Sequence, residues 1–237
     1  MVTLGFIGSG NMGSAIARLA VAADVQVVMA NSRGPESLSE LIAPLGPLAT
    51  AGTIEQAAEA DLVLLAVPLT AYQAVPAAPL RGKTLLDTSN YYPIRDGRVT
   101  ELDAEKLTTS ELIQQHFEGV KLVKAFSNIL AQHITQLARP ANAPDRTALP
   151  IACDDARAKA QAAALIERIG FDTVDAGSLA DTWRFEPETT AYTELYMADP
   201  NTPFELRFEA PGAPVPATRL RSALAAAQRV RVAERTF

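Results

Sequence analysis

The chain of 237 residues has one cysteine, two histidines and one tryptophan. A lone thiol, Cys153, excludes an internal disulfide, and one cysteine with two histidines gives too few soft ligands for a structural zinc site. Basic residues are in the minority: Lys+Arg 21 against Asp+Glu 27 leaves a net charge of −6. Nucleic acid as a partner needs clustered Lys and Arg to neutralise phosphates, and no long basic run is present. The densest basic set, Arg219, Arg221, Arg229 and Arg231, is diluted by alanine and glutamate and reads as a solvated helix face. Long hydrophobic runs are missing too. Hydrophobic residues make up 48% of the chain, yet a charged residue interrupts each apolar stretch before the roughly 18–20 residues that span a bilayer. No signal peptide is evident, since Met1 leads directly into a strand pattern. These absences predict a soluble, cytoplasmic protein without metal or membrane, whose partner is a small molecule. Its length suffices to bury a core without staples. Cys153 follows the apolar run 148–152 and is expected to be a small buried residue, not a nucleophile.

What is present is alternation. Short apolar runs at 2–7, 25–30, 62–67, 84–87 and 120–126 alternate with stretches of helical period, the signature of βαβ units and a mainly parallel sheet. The run 62–67 is apolar on both faces, as a buried parallel strand should be. Between the first two runs, Met12, Ile16, Leu19, Ala20 and Ala23 form one stripe of a helix. Thr108 to Glu111 reads as a capping box that opens a second helix. A third helix spans about 154–169 and stops at Gly170, with a strand at 172–175 beyond it.

After Gly177 the composition shifts. Aromatic residues concentrate (Trp183, Phe185, Tyr192, Tyr196, Phe204, Phe208), prolines punctuate the stretch, and an alanine-rich helix spans about 218–232. Phe204, Leu206 and Phe208 alternate with charged residues, which predicts a half-exposed strand. The expected fold class is therefore α/β, a Rossmann-type doubly wound and mainly parallel sheet with a smaller C-terminal extension. Residues 1–177 are expected as the nucleotide-binding domain and 178–237 as the extension. An aromatic, proline-rich tail of this size predicts burial against another surface, and hence a homodimer.

The chemistry is carried by Gly8-Ser9-Gly10-Asn11-Met12-Gly13, a G-x-G-x-x-G between a strand and an amphipathic helix. In that context it is the dinucleotide fingerprint. Gly8 permits the tight turn, Gly10 lets backbone approach the pyrophosphate, and Gly13 allows the helix to lie close on the strand. The helix N-terminus offers free N–H groups to phosphate. An NAD site would place a carboxylate at the end of the second strand, to bind the ribose 2′-hydroxyl. This chain has Asn31-Ser32-Arg33 there, and a hydroxyl with a guanidinium suits a 2′-phosphate, so the expected cofactor is NADP(H).

Three further strand ends open onto the same crevice: Ala66-Val67-Pro68, where Pro68 stops the strand and makes a rigid wall, the segment 87–93, and the segment 124–128. Their amide, hydroxyl and aromatic groups suit an acceptor stacked on a nicotinamide with water excluded. Together with residues 5–13 and 31–33, these segments resemble the NADP oxidoreductases that include NADPH:deazaflavin (coenzyme F-420) reductase, distantly related to pyrroline-5-carboxylate reductase. The resemblance runs over most of residues 1–177. It implies that Ser9 to Met12 hold the pyrophosphate and Ser32 with Arg33 the 2′-phosphate. Val67, Pro68, Asn90, Phe126 and Asn128 would then approach the nicotinamide or the acceptor, with Tyr91 a further substrate-side candidate.

The expected activity is NADPH-dependent hydride transfer to a flavin-like, deazaflavin or other small conjugated acceptor, with a deazaflavin or flavin as co-substrate. The alternatives are an imine reductase of the pyrroline-carboxylate type and a non-catalytic NADPH sensor. Acid-base groups are few. His133, soon after the run 120–126, is a weak catalytic candidate, whereas His116 is expected to be a partly buried helix residue. Such a reaction needs no protein nucleophile, because the cofactors hold the reactive atoms.

Overall fold

Residues 2–235 are described in a computed structural model of the chain. Six strands, β1 (Thr3–Ile7), β2 (Gln26–Ala30), β3 (Ala49–Ala51), β4 (Leu62–Leu65), β5 (Thr84–Asp87) and β6 (Lys121–Lys124), form one sheet in the order β3-β2-β1-β4-β5-β6, every pairing parallel. The order reverses between β1 and β4, which leaves a crevice outside their carboxyl ends. Helix α1 (Asn11–Ala22) returns the chain from β1 to β2, and α2 (Ser39–Ile42) and α3 (Ile54–Ala58) flank β3. After β5 come α4 (Pro93–Asp96), α5 (Thr100–Asp103) and α6 (Thr109–His116), and after β6 comes α7 (Ala131–Leu137). The fold is Rossmann-like α/β.

Side chains of a strand point alternately to the two faces of its sheet, and the core divides accordingly. Leu62 and Leu64 join one apolar cluster with Ile16 and Ala20 of α1, while Val63 and Leu65 join another with Ile113 of α6 and Phe117. Burial of each of these side chains larger than alanine contributes about 1.5–3 kcal/mol. The capping box at α6 forms as the sequence predicts: Thr108 Oγ1 accepts from the Glu111 N–H, and the Glu111 carboxylate accepts from the Thr108 N–H.

A second, two-stranded parallel unit follows, made of β7 (Ala148–Ile151) and β8 (Asp172–Asp175), joined by α8 (Ala156–Arg168). An antiparallel bridge between Lys124 and Ala152 attaches it to the β6 edge. Asp155 caps α8 by accepting from the Ala158 N–H, and Cys153 lies buried just before it, its thiol pKa pushed up by that burial. The last helix, α9 (Ala217–Ala226), packs on β7 and β8, and Val215, Leu220 and Leu224 enter the same apolar cluster as α1 and α8.

The segment around Phe204 differs from the strand predicted there. It forms a 3₁₀ turn, Phe204–Leu206, at the tip of a loop closed at its base by a bridge between Met197 and Gly212. A strand needs a paired neighbour for its backbone, and among the described residues no strand pairs with this tip; Phe204, Leu206 and Phe208 all lie exposed. Among the described residues no helix is long and apolar enough to cross a membrane.

Candidate active site

The glycine turn shows why each of its glycines is there. Gly8 has φ +110°, and a Cβ on it would lie 2.2 Å from the Ala66 carbonyl oxygen; a Cβ on Gly13 would lie 2.5 Å from that of Gly8. These two bring α1 against the β1 and β4 ends at backbone distance. Gly10 is the opposite case, since a Cβ there would meet no protein atom within 4 Å. The space beside Gly10 opens into the crevice, and α1 begins at Gly10 without a side-chain cap on its first N–H groups.

Behind the turn, the end of β2 is tied to it. Asn31 Nδ2 donates to Ser9 Oγ (3.3 Å) and to Ser37 Oγ (2.9 Å), and Asn31 Oδ1 accepts from the Arg33 N–H (2.9 Å). Asn31 thus organises the Ser32 and Arg33 backbone, while both of those residues are exposed. Arg33 forms no salt bridge among the described residues.

The crevice runs from Gly10, Asn11 and Met12, past Ala66, Val67 and Pro68, to Thr88, Ser89, Asn90, Tyr92 and Arg95 beyond β5 and Ser127 beyond β6. Its volume is about 460 Å³, in the range of small-molecule sites. Tyr192 and Thr193 complete the wall, so the C-terminal extension contributes to the crevice of its own chain. Asn90 is the centre of that far end: its Nδ2 donates to the Ser127 carbonyl (2.6 Å) and to Tyr192 Oη (3.3 Å), and its own carbonyl accepts from Arg95 Nη2 (3.0 Å). The Tyr92 and Tyr192 hydroxyls are hydrogen-bonded to each other. Burial pushes both phenols above the ordinary tyrosine range, and for Tyr192 the neighbouring Tyr92 adds to the effect. Arg95 lies over the Tyr92 ring at 4.5 Å, its charge paired with Asp96.

Beneath this floor sits a charge pair that sequence reading did not single out. Asp87 and Lys124, both fully buried, meet at 3.3 Å at the ends of β5 and β6. Asp87 also accepts from Ser110 Oγ (2.7 Å) and from the Ser89 N–H (2.8 Å), and Lys124 Nζ donates to the Ser89 carbonyl.

Of the residues singled out in the sequence, the structure brings Gly10, Asn11, Met12, Ala66, Val67, Pro68 and Asn90 to the crevice, with Gly8, Ser9, Gly13 and Asn31 shaping it. Four others it turns away. The Tyr91 side chain is buried on the far side, its hydroxyl donating to Asp103 Oδ1 (3.0 Å) and accepting from the Val99 N–H (3.0 Å). Phe126, at φ +58°, packs edge-on to Phe171 in the core. Asn128 Nδ2 donates to the Ala191 carbonyl (2.8 Å) and Tyr196 Oη (2.9 Å), which makes it a tie to the extension. His133 is fully buried on α7 against the Ala210 carbonyl (2.9 Å) and does not line the crevice. Thr88, Ser89, Tyr92 and Ser127 line the crevice from within the two segments expected to open onto it, whereas Arg95, Ile129, Leu130, Ala131, Tyr192 and Thr193 are wall residues that sequence reasoning missed. Alternation along the 87–93 segment would have put Tyr92 opposite Tyr91; for Tyr192 and Thr193 no local signal exists.

Residues 3–91 match the family described as NADP oxidoreductase, coenzyme F420-dependent. No curated protein matches the chain. Among solved structures, it is similar to the hypothetical protein SMa0349 from Sinorhizobium meliloti (32% identity over 77% of this chain and 88% of that one, TM-score 0.68). It is also similar to a candidate F420-dependent NADP-reductase from Arthrobacter sp. FB24 (24% identity, 76% and 86% covered, TM-score 0.60). A pyrroline-5-carboxylate reductase from Coxiella burnetii shares the fold (19% identity, 73% and 58% covered, TM-score 0.51). The family match covers β1 to β5 and the glycine turn, and the Sinorhizobium relative extends the likeness over most of both chains. Over residues 3–91 the chain belongs to the NADP oxidoreductase, coenzyme F420-dependent family, and it is an NADP-dependent oxidoreductase.

Proposed function

We propose that this chain binds NADP(H) along the crevice and transfers hydride between it and a flavin-like, deazaflavin or other small conjugated acceptor held at the β5/β6 end. The observation that carries the reading is the space at Gly10. Gly8 and Gly13 are required by protein contacts, whereas no protein atom lies within 4 Å of a Cβ at Gly10, so the turn is open there to a group that enters the crevice. A pyrophosphate fits there, against the N–H groups of Ser9 to Met12 at the α1 N-terminus. Asn31 sets the loop that carries Ser32 and Arg33, whose hydroxyl and guanidinium would hold the 2′-phosphate, and the β2 end itself, residues 31–33, carries no carboxylate. Ala66, Val67 and Pro68 form the wall along which the ribose and nicotinamide would lie.

When bound, NADPH supplies the hydride; the chain's part is to align and to exclude water. Asn90, held by Ser127 and Tyr192, fixes the floor, and the paired Tyr92 and Tyr192 form an aromatic wall over which a planar acceptor can lie. On this reading residues 1–177 are the nucleotide-binding part, and 178–237 the extension that closes the acceptor end. An imine with a carboxylate substituent is less well served, since the crevice arginine, Arg95, is already paired with Asp96. The direct test follows NADPH absorbance with a deazaflavin, FMN and a cyclic imine offered in turn. Oxidation with the conjugated acceptors and not the imine is expected; tight NADP binding with no turnover of any acceptor would make the protein a sensor.

The exposed Phe204, Leu206 and Phe208 are the face on which two copies would meet. Sedimentation at micromolar concentration should show a dimer that Phe208→Glu weakens; a monomer in the wild type ends that reading.

A further inference from the structure

The acceptor-end floor of the crevice is polar in an unusual way. Ser89, Asn90 and Ser127 line it and are only 4%, 8% and 3% exposed. Ser89 Oγ, Asn90 Oδ1 and Ser127 Oγ are buried without a hydrogen-bond partner in the protein. Most buried polar groups are paired, so three such oxygens on residues that wall one crevice need an explanation.

Their chemistry is specific. Asn90 uses both amide hydrogens, one on the Ser127 carbonyl and one on Tyr192 Oη, which fixes its orientation and leaves Oδ1 as an acceptor only. The serine hydroxyls swing about a single χ1 bond and can donate. The loop that carries two of the three is clamped from below, because the Ser89 N–H is held by Asp87 and the Ser89 carbonyl by Lys124. A fully buried ion pair adds little net stability, so its position here is better explained by the loop geometry it fixes.

We propose that Ser89, Asn90 and Ser127 form a recognition floor for an amide edge, an N–H beside a C=O, on a ligand in the crevice. Asn90 Oδ1 accepts from the ligand N–H, and the serine hydroxyls donate to its carbonyl oxygens. This inference rests on the NADP(H) reading above. Two ligands of that reaction carry such an edge, the carboxamide of the nicotinamide and the imide of a flavin or deazaflavin, whereas a cyclic imine carries none.

The experiment uses two ligand pairs, each differing at the N–H. One is NADPH and its 3-acetylpyridine analogue; the other is a deazaflavin and its N3-methyl derivative. Binding is titrated by protein fluorescence on the wild type and on Ser89→Ala, Ser127→Ala and the double variant. The wild type is expected to prefer the N–H ligand of one pair by about tenfold, and the pair that shows it identifies the group seated on the floor. The double variant should bind that same ligand about tenfold more weakly. Its melting temperature should match or exceed the wild-type value, since the oxygens removed have no protein partner. Equal binding of both members in both pairs, or undiminished binding by a folded double variant, overturns the proposal. If the wild type binds no NADPH at all, the cofactor reading itself fails, which a titration of NADPH alone shows first.

Discussion

The two ends of the crevice are built on different plans. At the β1/β4 end the walls are backbone: Gly8 against the Ala66 carbonyl, Gly13 against the Gly8 carbonyl, and the open flank of Gly10. At the β5/β6 end they are side chains in a chain of dependence, with Lys124 and Asp87 holding Ser89, and Asn90 holding both Ser127 and Tyr192. A backbone wall constrains few residue types and tolerates any partner with phosphates. A side-chain wall is where selectivity for an acceptor can be written and rewritten.

Substitutions can break or sharpen this contrast. The largest effect is expected at the backbone end. Gly8→Ala adds a Cβ at 2.2 Å from a carbonyl oxygen at φ +110°, and strain with overpacking should cost about 4 kcal/mol, seen as a collapse of the denaturant midpoint. Gly10→Ala, with no protein atom within 4 Å, should leave stability unchanged and weaken only NADPH binding; equal damage from both would erase the distinction between them.

At the side-chain end, Lys124→Met leaves Asp87 buried and unpaired, at a cost of about 3 kcal/mol, and Asp87→Asn in the same chain should recover part of it. Chemical denaturation of the two variants checks this. Arg33→Ala should lower NADP affinity by about tenfold and leave NAD affinity alone, measured by titration; equal stabilisation by both nucleotides, unaltered by the change, would refute the 2′-phosphate role.

The smallest effect is expected from Tyr192→Phe, about 1 kcal/mol at neutral pH. Its signature is in alkali. Folding holds the Tyr192 phenol above its ordinary value, so as pH rises past about 10 the unfolded chain ionises first and the native state loses stability. The variant lacks this loss at position 192, and the stability gap between the two proteins should narrow as pH rises.

The same contrast explains what could be read in advance. The strands, the α1 stripe and the glycine turn depend on neighbours within a few residues, and apolar periodicity reports such neighbours directly. The capping box at Thr108 was legible for the same reason. Phe126, Asn128 and His133 were placed near the crevice because they follow β6, yet all three turn inward, toward Phe171, Tyr196 and the Ala210 carbonyl. Those partners lie in segments whose approach to β6 no local pattern announces. Tyr91 and Tyr92 differ by one position and face opposite ways, so an error of one residue exchanges a core side chain for a site side chain. At Phe204, alternation of apolar and charged residues served a loop tip as well as it would a strand, because periodicity does not say whether a pairing partner exists.

The hydrogen bond from Asn90 to Tyr192 spans 102 residues of chain. Closing so long a loop is entropically late, and contacts of this range form slowly compared with the local βα units around the glycine turn. During refolding, helical signal should therefore return before the wall at Asn90 and Tyr192 exists, and on the proposed reading nucleotide affinity should return before it too. The molecule would pass through an interval in which it holds its reductant but lacks the wall that shields it from water.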